Sequence, residues 1–379
     1  MLGTETNRAT DGGATGAVIT DWSAVSPFGV GREAFEQGLS AGHETARTPE
    51  TAEWGVVADA GARLVPDFQV REVLGKAGTR GLDRATGLAI TAVRELLRDV
   101  PDIVADGGLD TAVVLGTTTG SAQGYADLTR ASFEGRRPQD VPPVAIPNMA
   151  MNRAASASAI FHGVRGPNST IAAGRVAGLM ALEYGRRLLA QHRADSVLVG
   201  ATEEYSQARS WIEHHRRAGS EDRVELGEGS AVLLLERSEA EAAAAGRTVL
   251  AEVLSVTSRV DVDGDPAEAL RACVAAALEA AEVTAQDVRD AVPSSCGGTP
   301  ESAEIRVLTR MFGAEAVARP EIGSLIGDTS AAASLFQIVA LLSTAQRRSG
   351  GGDRLAVVTA TDPDGAVAGA VLRLLPVGR

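Results

Sequence analysis

A run of small residues from Gly166 to Gly178 has the sequence of a short strand, a tight glycine turn and the start of a helix. A side chain in such a turn faces free backbone N–H groups and the positive end of the helix dipole, and this field lowers the pKa of a thiol. The turn is therefore a good position for a nucleophile in acyl transfer. The residue found there is Arg175, which cannot attack a carbonyl group. The turn is either ordinary structure or a catalytic turn that has lost its nucleophile.

Composition limits what this protein can do. Of its 379 residues, 44% are apolar and only 3% are aromatic, so a large core must be filled by Ala, Val, Leu and Ile. The net charge of −13 and the lack of a basic block argue against nucleic-acid binding. No apolar run reaches the roughly eighteen residues of a membrane helix, and no signal pattern is present. Cys273 and Cys296 are too few for a disulfide framework or a zinc site. We expect a cytoplasmic protein without a metal site.

The elements that position the turn alternate between strands and helices. Residues 111–116 form an apolar run without alternation, as in a strand covered on both faces. Residues 82–100 carry a helical apolar period, and 154–160 form a helix of Ala and Ser that allows close approach of another backbone. Further predictions in this half are a strand from 17, a weak helix to about 133, an extended connection at 142–148, and strands at 195–201 and 225–236.

The second half of the chain repeats this alternation after an acidic, Ala-rich segment at 239–245. The predicted elements are a strand at 249–256, helices at 266–281, 304–312 and 328–347, and strands at 355–360 and 370–375. Each half therefore ends in a buried helix preceded by glycine. This pattern predicts a pseudo-duplicated α/β/α layer structure, with a disordered tail at 1–15, an N-terminal half at 16–245 and a C-terminal half at 246–379.

Six stretches in register along the chain resemble β-ketoacyl synthases of the thiolase fold. They are 17–29, 81–93, 116–120, 146–149, 166–168 and 226–230. The resemblance covers roughly residues 16 to 376 in the right order, and it implies an α/β thiolase fold with duplicated α/β/α/β/α layered halves.

The resemblance also implies a catalytic set of one cysteine, two histidines and a lysine, and this chain has none of them at the matching positions. The cysteine position holds Arg175, the first histidine falls near Ser295, the lysine position holds Ser302, and the second histidine is replaced by Asp328. Decarboxylative condensation needs a thiolate and donors to stabilise the enolate and the oxyanion. Because these residues act as a unit, we expect no condensing activity from this chain alone.

A ketosynthase-like chain without the cysteine resembles the chain length factor, or ketosynthase β subunit, of type II polyketide synthases. The resemblance implies a heterodimer with a cysteine-bearing ketosynthase, and a tunnel for a chain carried on the phosphopantetheine of an acyl carrier protein. It implies no other cofactor. Many chain length factors that act on aromatic polyketides have Gln where this chain has Arg175. This difference favours a divergent class of chain length factors, such as those paired with synthases that make reduced polyene chains. The helix at 154–160 and the strand at 168–172 would lie at the family's dimer surface.

The family's chain-length gate lies on the helix after the glycine loop. The matching residues here fall among Ala122, Tyr125, Leu128 and Thr129, with a one-residue ambiguity. Residues spaced by three, four or seven share one helix face, so they can plug or open a tunnel end. Small Ala122 and Thr129 would leave it open, and Tyr125 would narrow it. The alternative is that these residues only pack beneath the dimer interface.

In the thiolase architecture, the helices that begin at Arg175 and Asp328 meet at the centre. A buried arginine without a carboxylate costs several kcal/mol, so we predict an Arg175–Asp328 salt bridge in the lost active site. Arg175 turning towards solvent or a partner subunit is the other interpretation. The other acidic candidates for this role are Glu203, Glu204 and Glu301.

Other interpretations remain open at this point. Cys296, in a glycine-rich loop, is interpreted as a bystander thiol rather than a relocated nucleophile. The run 214–217 (His-His-Arg-Arg) is interpreted as a solvated surface, because adjacent helical residues point apart. Two other functions are considered: a malonyl-carrier-protein decarboxylase that supplies starter units, and a homodimeric acyl-binding scaffold.

Overall fold

The computed structural model describes residues 16–105, 107–217, 224–294, 302–317, 322–347 and 352–376. The predicted tail at 1–15 and the positions Ser295, Cys296 and Glu301 lie outside these ranges.

Strands and helices alternate along the described chain as predicted. The strands are β1 (Ala17–Ser26), β2 (Gly29–Val30), β3 (Ala46–Arg47), β4 (Ala62–Arg63), β5 (Thr111–Thr117), β6 (Asn168–Ala172), β7 (Ser196–Glu203), β8 (Leu226–Gly227), β9 (Gly229–Glu236), β10 (Ala251–Val260), β11 (Val288–Val292), β12 (Arg354–Thr361) and β13 (Ala366–Leu374). The helices are α1 (Arg32–Ala41), α2 (Thr51–Trp54), α3 (Val70–Val73), α4 (Arg84–Asp99), α5 (Ala122–Glu134), α6 (Arg153–His162), α7 (Ala177–Ala190), α8 (Gln207–Arg216), α9 (Glu239–Ala244), α10 (Pro266–Ala280), α11 (Ala303–Phe312), α12 (Ile322–Ile326) and α13 (Ala333–Arg347).

The described part of the main sheet contains one four-strand pattern twice, with β6 as an additional strand in the N-terminal half. Its order is β11-β12-β13-β10-β1-β9-β7-β5-β6, with β2 paired to β1. In the N-terminal half, β1, β9 and β7 are antiparallel neighbours, and β5 and β6 follow in parallel. In the C-terminal half, β10, β13 and β12 are antiparallel neighbours, and β11 follows in parallel. A short antiparallel pairing of β1 with β10 joins the halves, so the predicted duplication is present in the topology.

Two buried helices, α7 and α13, occupy the centre of the molecule. Both contribute side chains to one core cluster that includes strands of both halves, and α13 lies against α7. Their first turns come very close, because a Cβ atom added at Gly178 would lie 2.5 Å from Ser334 Oγ and 2.9 Å from the Ala331 carbonyl oxygen. The predicted meeting of the two helices is therefore observed, and glycine is what allows it.

Two local predictions were wrong. Pro143–Met149 forms a 3-10 helix rather than an extended connection, since proline fixes φ near −65° and suits the first turn of a helix. The second central helix also begins later than predicted, with a 3-10 turn at Ser330–Ala332 before α13. The backbone of Asp328 is instead paired like a strand: its N–H donates to the Glu225 carbonyl (2.9 Å) and its carbonyl accepts from Gly227 N–H (2.9 Å).

Candidate functional site: the turn at Arg175 and its acidic partner

A 3-10 turn, Gly174–Val176, connects β6 to α7 and carries Arg175. Gly174 has φ 58°, in the left-handed region, and a Cβ atom there would lie 2.1 Å from Asp362 Oδ2, so glycine is required on both grounds. The Arg175 N–H donates to the same carboxylate oxygen at 2.8 Å. Asp362 thus satisfies one of the backbone donors that a helix start leaves free.

The side chain of Arg175 turns inward and forms the predicted ion pair with Asp328. Its Nη2 donates to Asp328 Oδ2. The Asp328 side chain is 1% exposed and that of Arg175 is 18% exposed. The interpretation in which Arg175 only faces solvent is therefore excluded.

Asp328 lies within reach of three guanidinium groups. Besides Arg175, Arg217 Nη2 donates to Oδ2 at 2.5 Å, and Arg209 Nη2 donates to the backbone carbonyl at 2.7 Å. Ser330 N–H donates to the other carboxylate oxygen at 2.9 Å. Burial alone would raise the pKa of Asp328, but the three arginines outweigh it and hold the pKa well below its usual value. Asp328 is therefore a permanent carboxylate that accepts hydrogen bonds and does not act as an acid.

Arg209 on α8 links the ends of several elements. Its Nη1 donates to the carbonyls of Glu204 (2.8 Å) and Gly227 (2.6 Å), and its Nε lies 3.9 Å from Glu203 Oε1. The side chain is 5% exposed. The N–H groups of Arg209 donate to buried carbonyls of three segments. Arg209 therefore holds together the end of β7, the strand β8 and the segment around Asp328 that leads into the second central helix.

The sequence interpretation missed this role of α8. Residues 214–216 are exposed as predicted, but Arg217 turns inward to Asp328 and Glu213, with 22% of its side chain exposed. Adjacent residues at a helix end point in different directions, so one of four polar residues can be buried while the others stay in water. The only signal in the sequence for this role was the position of Arg217. It is a basic residue at the end of the helix that follows the strand ending in Glu203.

Glu203 and Glu204, at the end of β7, lie beside this network. Thr118 Oγ1 donates to both oxygens of Glu203, at 3.0 and 2.8 Å, and Gln123 N–H donates to Glu204 at 3.0 Å. Burial raises the pKa of each to about 7. The two side chains connect the network to the loop before α5, and neither is the main partner of Arg175.

Among the remaining degenerate positions, Ser302 lies within the described residues and has a structural role. The hydroxyl of Ser302 accepts from Ile305 N–H at 3.3 Å and caps α11. Cys273 is buried on α10 against Thr257, and burial raises its pKa, which opposes thiolate formation. Among the described residues, no group of three or more His, Cys, Asp or Glu side chains is arranged to hold a metal ion.

The four predicted gate residues all lie on α5, whose N-cap is Ser121. The structure does not bring them to one environment: Tyr125 is 58% exposed and Leu128 is 8% exposed, while Ala122 and Thr129 are half-buried. The 3-10 segment Pro143–Met149 packs beside α5. In this segment, Val144 and Ile146 are also exposed.

Comparison with known proteins places these features in context. The family described as "Beta-ketoacyl synthase, N-terminal domain" matches residues 16–241. The solved structure titled "The ishigamide ketosynthase/chain length factor" is 43% identical, with a TM-score of 0.88 over 95% of this chain and 99% of that chain. The actinorhodin polyketide putative β-ketoacyl synthase 2 of Streptomyces coelicolor is 30% identical over 62% of each chain. The 3-oxoacyl-[acyl-carrier-protein] synthase 2 of Rhizobium meliloti is 25% identical over 86% of each.

The thiolase fold predicted from the sequence is confirmed. Within the described ranges, no helix is both long and apolar enough to cross a membrane.

Proposed function

This chain belongs to the β-ketoacyl synthase family, and we propose that it is a chain length factor: a non-catalytic subunit that pairs with a cysteine-bearing ketosynthase in type II polyketide biosynthesis and shapes the tunnel for the acyl chain. The observation that carries this proposal is the pairing of Arg175 with Asp328, at the positions that match the family's nucleophile and second histidine. The resemblance to a ketosynthase/chain length factor over nearly the whole chain supports it.

The geometry of the network explains why condensation is not expected here. A thiolate must be free to carry the acyl group, and donors must face the developing oxyanion. Here the donors around Asp328 belong to arginines that are already engaged by its carboxylate and by buried carbonyls. The network stabilises the fold of a ketosynthase without supplying a nucleophile.

The surface around β6 supports pairing with a second ketosynthase-like subunit. Within the described residues β6 is paired only with β5, so it forms one edge of the main sheet. An exposed strand edge offers unpaired N–H and C=O groups to another chain. Near it in sequence, α6 buries its alanines but leaves Ile160 80% exposed, and Met151 is 53% exposed. Exposed apolar side chains in the segment that leads into a free strand edge are typical of a protein interface.

The proposed gate lies in the same region of the chain. Tyr125, on α5, presents its ring outward, so its contacts would be completed by the partner rather than by this chain. We propose that Tyr125 narrows the tunnel end, with Ala122, Leu128 and Thr129 setting the adjacent wall. The link from Glu204 to the N–H of Gln123 would hold the first turn of α5 in place.

Other parts of the proposal follow from the family. The acyl chain would arrive on the phosphopantetheine of an acyl carrier protein in the cytoplasm. Arg175 in place of the Gln of many members that act on aromatic polyketides favours a reduced polyene chain. We also propose the two halves as 16–245 and 246–379; the family match at 16–241 and the end of α9 at Ala244 support this boundary.

Co-expression tests the proposal directly. This chain and a candidate cysteine-bearing ketosynthase would be produced together, with an affinity tag on one subunit. The purified material would be analysed by size-exclusion chromatography. A one-to-one complex that makes polyketide from malonyl-carrier protein, while each subunit alone makes none, is the expected result. Ketide formation by this chain alone would refute the proposal.

The same purified chain discriminates between the alternatives. Release of CO2 from malonyl-carrier protein by the isolated chain would favour the decarboxylase, although pairing of Arg175 with Asp328 leaves that guanidinium already neutralised. A stable homodimer that ignores the ketosynthase would favour the acyl-binding scaffold.

A further inference from the structure

A cleft of about 780 Å³ opens between α1 of the N-terminal half and β11, α12 and α13 of the C-terminal half. Its volume is in the range of small-molecule sites, roughly 300–1,000 Å³. It lies beside the later turns of α13, whereas the Asp328 network lies before that helix begins. The cleft therefore plays no part in the network described above.

The walls of the cleft are apolar and are built from several elements. The wall residues that belong to the central core or pack against it are Leu39, Val292, Ile322, Leu341 and Leu374. Because five different elements of the packed core contribute these residues, the cleft is preformed and keeps its shape without a ligand.

One buried polar atom in this lining lacks a partner. Gln337 on α13 is 4% exposed, and its Nε2 donates to the Pro293 carbonyl. Its Oε1 accepts no hydrogen bond. An unsatisfied buried acceptor is unfavourable, so a turn of the Gln337 side chain that brings this oxygen to a donor in the cleft would satisfy it.

The lining also carries an excess of positive charge. Its guanidinium groups belong to Arg289, Arg347 and Arg354, and its carboxylates to Asp290 and Glu315. Arg354 is engaged by both oxygens of Asp290, at 3.1 Å each. Arg289 is exposed. The Asp287 carboxylate, whose pKa is lowered by hydrogen bonds from Thr284, is close enough for the charge of Arg289 to lower that pKa further, and a guanidinium has enough N–H donors to meet an entering anion as well.

We propose that this cleft binds an amphipathic organic anion. The apolar body would lie against Leu341 and the other core residues, an N–H or O–H group would donate to Gln337 Oε1, and the anionic group would face Arg289 and Arg347. The inference goes beyond the proposed function and does not depend on it, because it requires no partner subunit.

The probe for this site is 8-anilinonaphthalene-1-sulfonate, which combines an apolar ring system, one N–H donor and a sulfonate. Fluorescence titration of the full chain should show saturable binding at one site. Ala340→Phe fills the cleft from α13 and should weaken this binding by about tenfold or more. Ala280→Phe, an equal change at an exposed position on α10, is the control and should bind the probe as the wild type does.

A second variant keeps the test decisive if Ala340→Phe fails to fold by circular dichroism. Arg289→Gln changes only an exposed side chain and should weaken probe binding by about threefold. When salt is added, the variant should lose less affinity for the probe than the wild type does, because one charge that salt screens has been removed. Binding that does not saturate, or that is unchanged in Arg289→Gln and in folded Ala340→Phe, would overturn the proposal. If the chain binds the probe but fails to pair with a ketosynthase, the proposed function is refuted and the proposed ligand site in the cleft is not.

Discussion

Replacement of Asp328 by Asn tests the central network. The change removes the charge that compensates Arg175 and Arg217, while it keeps the shape of the side chain. Breaking a buried ion pair by removal of one partner costs about 3–5 kcal/mol, because a buried charge is left without compensation. Arg175 and Arg217 are 18% and 22% exposed, and Arg217 keeps Glu213 at 3.1 Å. We therefore expect a loss near the lower limit, about 3 kcal/mol of the free energy of unfolding.

Arg175→Met should cost less than Asp328→Asn. Without Arg175, the Asp328 carboxylate still accepts from Arg217 and Ser330, so it keeps a charged partner, and loss of the charged hydrogen bond from Arg175 costs about 1.5 kcal/mol. In the double variant the two losses should not add, because both changes remove the same interaction. Asp290→Asn is the matched control; its partner Arg354 is 35% exposed, and such a pair is worth only about 0–1 kcal/mol.

Urea unfolding of the full chain, followed by circular dichroism, measures these differences. The dependence on pH has a definite sign. The native pKa of Asp328 lies below its usual value, so its stabilising contribution is present above the unfolded pKa of about 3.9 and is lost as the pH falls below it. The difference between wild type and Asp328→Asn should narrow in acid. If Asp328→Asn cost no more than Arg175→Met or the control, the ion-pair argument would be wrong.

Four further predictions follow from single residues. Arg175→Cys should form no ketide from malonyl-carrier protein, measured against wild type, because Ser295 and Asp328 stand where the family has histidines and the Asp328 carboxylate is held at too low a pKa to take a proton from the new thiol. Glu203→Gln should lessen the fall in the free energy of unfolding between about pH 4.5 and pH 7, because the native pKa of Glu203 is raised to about 7 and its carboxyl is most stabilising when protonated. Ser302→Ala should lower the free energy of unfolding by about 1 kcal/mol through loss of the α11 cap. Tyr125→Ala should lengthen the products of the ketosynthase complex, read by mass spectrometry.

Each of these has an outcome that contradicts it. Turnover by Arg175→Cys alone would show that the scaffold is still competent for condensation. An identical pH profile for Glu203→Gln and wild type would show that Glu203 does not titrate in this range. Full stability of Ser302→Ala would remove its role as a cap, and unchanged product length in Tyr125→Ala would leave Tyr125 as a packing residue. Phe133→Ala, which also removes an exposed aromatic ring from α5 but lies outside the proposed gate, is the control for the last.

The sequence was sufficient for the interpretation that the turn at Arg175 is an active-site turn without its nucleophile. That interpretation depended only on residue types in a fixed order and needed no coordinates. Arg175 follows a glycine turn after a short strand, and Asp328 follows Gly327 in the repeat of the pattern. Local propensities and apolar periods also predicted most strands and helices, because those signals lie within a few turns of the chain. The pairing of Arg175 with Asp328 followed from the duplicated architecture, which makes equivalent helices meet.

The tertiary structure decided which other groups join that pair. Arg209 and Arg217 lie 119 and 111 positions from Asp328 in sequence, and their convergence depends on the direction in which α8 leaves β7. The sequence interpretation took Arg217 as solvated, because exposure at the end of a helix is not encoded by periodicity. The strand-like backbone at Asp328 arises in the same way, because its peptide groups are satisfied by hydrogen bonds to Glu225 and Gly227, about a hundred residues away in sequence. Residue order determined which residue types stand at the turn and at its counterpart in the second half; long-range packing determined which groups gather around Arg175 and Asp328.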